Sequence, residues 1–203
     1  MITAFGFFDQ CIELSRRHGF GRIEIANLTL RANANLYQNR LKIAYDECMV
    51  AVSAAAKAGH HRAEIVARAG GLGWIGIETG DLAATRHELE LALEKACHVG
   101  AGRFQAMSLV FLAKVLVLEG NWARARSSAE EAVSISREAG ITFTGPVALG
   151  VLAVCRTDPE ARDRALTEAE EILRDNCVSH NYFYLYRDGM EIHLHTGEWD
   201  RVK

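Results

Sequence analysis

E-G-N-W-A-R-A-R-S-S-A-E-E-A-V-S-I-S-R-E-A-G, running from Glu119 to Gly140, is the clearest copy of a unit that recurs along the chain. Twelve residues after Asn39, Gly80 and Gly120 stands an alanine each time (Ala51, Ala92, Ala132), and twenty residues after them stands Gly59, Gly100 or Gly140. Apolar and small residues fall at helical spacing between these marks: Leu41, Ala44, Cys48 and Val52 in one copy, Trp122, Ala125, Ala129 and Val133 in another. A glycine just past such a run suits the left-handed residue that ends a helix. A fixed period of about forty residues is the mark of a solenoid, whose units bury their apolar faces against their neighbours. It points to a binding scaffold.

Working outward, the other helix of each unit is more apolar, as in S-L-V-F-L-A-K-V-L-V-L at 108–118, and should be packed on most sides. The spacing predicts helices over 2–18, 21–37, 40–58, 61–78, 82–98, 102–118, 122–138, 142–156, 160–176 and 181–196. The first of these matches the second helix of a unit, because C-I-E-L-S-R-R-H-G at 11–19 parallels A-V-S-I-S-R-E-A-G at 132–140. The expected organisation is therefore one array over 1–203: a second helix at 1–19, units 20–59, 60–100, 101–140 and 141–180, and a partial unit 181–203. Both ends read as cut. The unit at 141–180 departs from the rest, with Asp158-Pro159 as helix start and His180 in the place of the closing glycine.

The composition is 49% hydrophobic and 24% charged, enough for a core. A net charge of −3 lacks the basic field that nucleic-acid binding needs. No apolar run approaches a membrane span and no leader pattern opens the chain, so no membrane is expected and the expected location is cytoplasmic. The cysteines Cys11, Cys48, Cys97, Cys155 and Cys177 show no C-x-x-C pairing and are expected as free thiols, mostly buried.

Three stretches narrow the class: F-D-Q-C-I-E-L-S-R-R-H-G-F-G-R-I-E-I-A-N-L (8–28), F-T-G-P-V-A-L-G-V-L-A (143–153) and C-V-S-H-N-Y-F-Y-L-Y-R-D-G-M-E (177–191). The units are similar to the longer, tetratricopeptide-like repeats, and these stretches resemble the C-terminal helical region of multidomain bacterial adenylate/guanylate cyclases. The resemblance implies an all-α, right-handed superhelical solenoid of antiparallel helix pairs. It also implies a sensing or scaffolding role beside a regulated enzyme. The alternative from another class is the effector-sensing array of a large transcriptional activator.

No catalytic, cofactor or metal residues are expected. His193 and His195, two apart, point away from each other on a helix. G-G-L-G-W at 70–74 lies inside a helical unit, where a phosphate loop would need a strand before it, and reads as close helix approach with a kink at Gly70-Gly71. Glu88, Glu90, Glu94, Glu130 and Glu131 read as solvated faces.

Two features stand above this level. Arg22, Arg62 and Arg103 each follow a unit-closing glycine by three residues, with Glu24, Glu64 or Gln105 two positions on. A cation in a first turn opposes the helix dipole. Either each arginine reaches the last carbonyls of the preceding helix, or the three line a groove. The second feature, N-Y-F-Y-L-Y-R at 181–187, is either a seam to a further repeat or a ligand surface. The candidate partner-binding residues are Arg22, Arg62, Arg103, Phe143, Tyr182 and Arg187, facing a protein or peptide segment in cis or in trans. Self-association is expected through Phe5, Phe7 and Phe8 at one end and Tyr184 and Tyr186 at the other.

Overall fold

The computed structural model describes residues 4–175, 177–178 and 180–201, and among these every regular element is helical. The chain forms two compact units, residues 1–104 and 105–203. The helices are α1 (Ala4–His18), α2 (Gly21–Tyr37), α3 (Leu41–Lys57), α4 (His61–Ile65), α5 (Gly73–Thr79), α6 (Leu82–His98), α7 (Gly102–Leu118), α8 (Trp122–Ala139), α9 (Ile141–Val154), α10 (Pro159–Leu173) and α11 (His180–Thr196). A π-helical segment, Val66–Leu72, joins α4 to α5, and a 3₁₀ turn, Trp199–Arg201, follows α11.

Positive φ angles fall at Gly19, Asn39, Gly59, Gly80, Gly100, Gly120 and Gly140, at intervals of about twenty residues. At five of these the same pair of bonds closes the helix. Phe20 N–H donates to Ser15 O at 2.8 Å, Arg40 to Asn35 at 2.9 Å, His60 to Ala55 at 2.9 Å, Ala101 to Ala96 at 2.9 Å and Asn121 to Leu116 at 2.8 Å. In each, the preceding left-handed residue donates to the carbonyl three before it. That is the Schellman pattern, which satisfies two of the carbonyls left over at a helix end and reverses the chain within two residues. Three second helices, α6, α8 and α10, start with a side-chain cap: Asp81, Asn121 and Asp158 accept from the backbone of Ala84, Arg124 and Ala161.

Within residues 1–104, α2 packs on α1 and α3, and α3 and α6 both pack on the helix built from α4, the π segment and α5. Small residues set how closely they meet. Ala44, Ala51, Ala55, Ala92 and Ala96 are fully buried, together with Cys48 and Leu89. The glycine-rich stretch at 70–74 is helical throughout, and the expected kink is realised as π geometry, whose wider turn admits an extra residue. A Cβ on Gly71 would lie 2.5 Å from Cys48 Sγ of α3, and one on Gly76 would lie 1.7 Å from Thr85 Oγ1 of α6. The bare backbone is thus wedged between two second helices.

Within residues 105–203, α9 is the centre, packed against α8, α10 and α11, with ten of its residues from Thr144 to Ala153 buried. Its Pro146 lacks the N–H that would bond the Thr142 carbonyl four residues back. The Asn181 side chain of α11 supplies the missing donor, with Nδ2 2.9 Å from Thr142 O and 3.3 Å from Phe143 O. The G-P of one quoted stretch and the Asn of another are therefore halves of one contact.

Two expectations need correction. Cys48 and Cys155 are buried and Cys177 half-buried, but Cys11 and Cys97 are exposed, each one residue off the buried stripe at Ile12 or Ala96. Tyr184 is no sticky end: it is buried, edge-on to Phe111 at 5.7 Å between ring centres. Tyr186 and Phe7 are exposed as expected.

Adding a methyl at the tightest crossing should be costly. Gly76→Ala should destabilise by about 2–3 kcal/mol in chemical denaturation, as overpacking does. Thr85→Ala in the same chain should recover part of the loss, giving a non-additive double-mutant cycle. Equal losses with and without Thr85 would mean that the crossing is not the constraint.

Candidate functional site

The candidate arginines stand in the first turns of first-member helices, and none of Phe20, His60 and Gly140, which precede α2, α4 and α9, supplies a side-chain cap. Arg22 and Arg62 are exposed, and among the described residues neither has a carbonyl or carboxylate partner. The reading in which they reach the preceding helix is not realised. What complements the helix dipole is the acidic residue two positions on. Glu24 pairs with Arg16 of α1 at 2.7 Å. Glu64, 2% exposed, takes Arg68 at 2.9 Å and Lys95 of α6 at 3.3 Å. Arg68 also pairs with Glu88. The acid is consumed by the packing and the arginine is left outside.

The starts of α2 and α4 are neighbours, since a Cβ on Gly21 would lie 3.7 Å from His60 Nε2. Along α2 the exposed face carries Ile23, Leu30 and Tyr37 at seven-residue intervals, and the Tyr37 ring meets Trp74 edge-on at 4.9 Å. Residues seven apart on a helix share a face. Arg103 is exposed in the first turn of α7.

The other candidates lie in residues 105–203. Phe143, half-buried, stands edge-on to His180 at 6.2 Å, and the Asn181 bonds tie its backbone to the start of α11. Tyr182 is exposed but its hydroxyl donates to Leu173 O at 2.8 Å. Arg187 is half-buried one turn further on. Phe143 and Tyr182 are thus brought to one locality. Burial lowers the His180 pKa, against a backbone hydrogen bond at Phe143 that raises it.

Sequence reasoning passed over the most buried charge in this unit. Lys114 of α7 pairs with Asp188 of α11 at 2.5 Å, and its ammonium sits 5.5 Å from the centre of the Tyr184 ring. Gly150 leaves room for the carboxylate, because a Cβ there would lie 3.0 Å from Asp188 Oδ2. Burial raises the Asp188 pKa, and Lys114 opposes that rise through charge and hydrogen bond. A lone lysine in S-L-V-F-L-A-K-V-L-V-L was the available signal, since a cation amid such a run needs a buried anion.

A cleft of about 570 Å³ lies between α8, α9 and α10, floored by Val133, Leu149 and Leu152. Its rim is matched within itself: Arg137 pairs with Glu168 at 2.6 Å and Arg156 with Glu130 at 2.9 Å. None of the candidate residues is among those that line it. The thiols of Cys48 and Cys155 are pushed up by burial, to about 12 and about 11. Among the described residues no three His, Cys, Asp or Glu side chains are grouped to hold a metal ion, and no helix is long and apolar enough to cross a membrane. No protein-family model matches the chain, and no curated protein matches it significantly.

Two polar repairs can be tested here. Asn181→Leu should leave the Thr142 carbonyl unsatisfied and cost about 1–3 kcal/mol. Adding Pro146→Ala, which returns the backbone N–H, should recover most of that in the same denaturation assay. No recovery would show that Asn181 serves something else. Lys114→Met should cost about 3–5 kcal/mol at neutral pH by stranding a buried carboxylate. The Asp188 pKa is raised in the fold, so its contribution is full below the ordinary carboxylate range and is lost as pH rises through the raised value. The gap in melting temperature between Lys114→Met and the parent should therefore narrow as pH falls from neutral toward about 4. A gap that holds or widens would refute the pairing.

Proposed function

We propose that this chain is a non-catalytic, helical-repeat interaction segment of a larger signalling protein, an adenylate/guanylate cyclase by resemblance. In this reading the helix pairs stack as tetratricopeptide-like units in a right-handed superhelical solenoid, and first-member helices line its inner groove. The array receives a protein or peptide segment, from its own parent chain or from a partner. Support comes from the repeated Schellman turns at half-unit spacing and the buried alanine at the same place in each copy.

One observation carries the binding role. Arg22 and Arg62 are exposed charges with no partner among the described residues, at adjacent helix starts, beside the apolar face of Ile23, Leu30 and Tyr37. Neither stabilises its own helix, so the two are free to meet an anion on an otherwise acidic chain. Arginine next to apolar and aromatic surface suits an acidic, partly apolar segment. Arg103, Phe143, Tyr182 and Arg187 occupy the equivalent first-member helices α7, α9 and α11.

Selection from a displayed random-peptide library should enrich sequences with acidic residues beside apolar ones. Arg22→Glu with Arg62→Glu should weaken capture of the enriched peptides at least about tenfold, with the melting temperature kept within about 2 °C. Enrichment without acidic bias, or a fall in stability ahead of capture, would end this assignment. For the parent protein, a cyclase domain in the flanking coding sequence supports the reading, and a DNA-binding helix-turn-helix module there favours the transcriptional activator.

A further inference from the structure

We draw no further inference here: the strongest candidate, the exposed apolar patch of Ile43, Tyr45, Met49 and Val50 on α3, carries none, because nothing in the structure shows what covers it.

Discussion

A backbone that turns left-handed about every twenty residues is the constraint on which this structure rests. Any residue with a Cβ resists that conformation, so glycine holds it at six of the seven positions before residue 141 and asparagine, which tolerates it best, at the seventh. At five of the seven, the left-handed residue lets the next N–H reach back to an orphaned carbonyl, and the helix ends there. Reversal within two residues then forces neighbouring helices to lie side by side. Once they do, the size of the residue at the crossing fixes their separation. The buried alanines of the second helices and the bare backbone at Gly71 and Gly76 belong to the same cause.

Residues 105–203 add a second principle, repair at a distance. Helices α7 and α9 are apolar on most sides, and each carries one flaw that an apolar setting cannot tolerate: the Lys114 ammonium and the Pro146 gap. Both flaws are answered from α11, by Asp188 and Asn181. Two polar contacts seven residues apart fix both the axial position and the rotation of that helix. Apolar packing alone, which tolerates slippage, specifies these less sharply. The outward presentation of Tyr186 follows from this anchoring.

Helix limits were legible in the sequence to within three residues at every end that falls among the described residues, because glycine, asparagine and Asp-Pro punctuate the chain and their chemistry is local. What the sequence left obscure depends on distance. Gly70-Gly71 reads in the sequence as a kink, and its π geometry shows only in the structure, with α3 and α6 pressing on either side. Lys114 and Asp188 lie 74 residues apart, and no periodic pattern links them. The same holds for Pro146 and Asn181, which stand in two stretches that looked distinctive separately. Tyr184 was misplaced because a run of aromatics does not say which ring faces inward. Arg22 and Arg62 stand out in the sequence, yet only their neighbours show what surrounds them: Glu24 and Glu64 turn to other cations, and the guanidinium groups are left to solvent.

The order of packing also carries a kinetic consequence. α1 lies on α2, α2 on α3, α8 on α9 and α9 on α10, so most native contacts join segments adjacent in the chain. Bringing such segments together closes only short loops, at a small entropic cost. Topologies of this kind sit at the fast end of single-domain folding, with hairpins of helices able to form before distant parts meet. The contacts of α7 and α9 with α11 span the longest stretches of chain within residues 105–203. They therefore carry the largest loop-closure cost there.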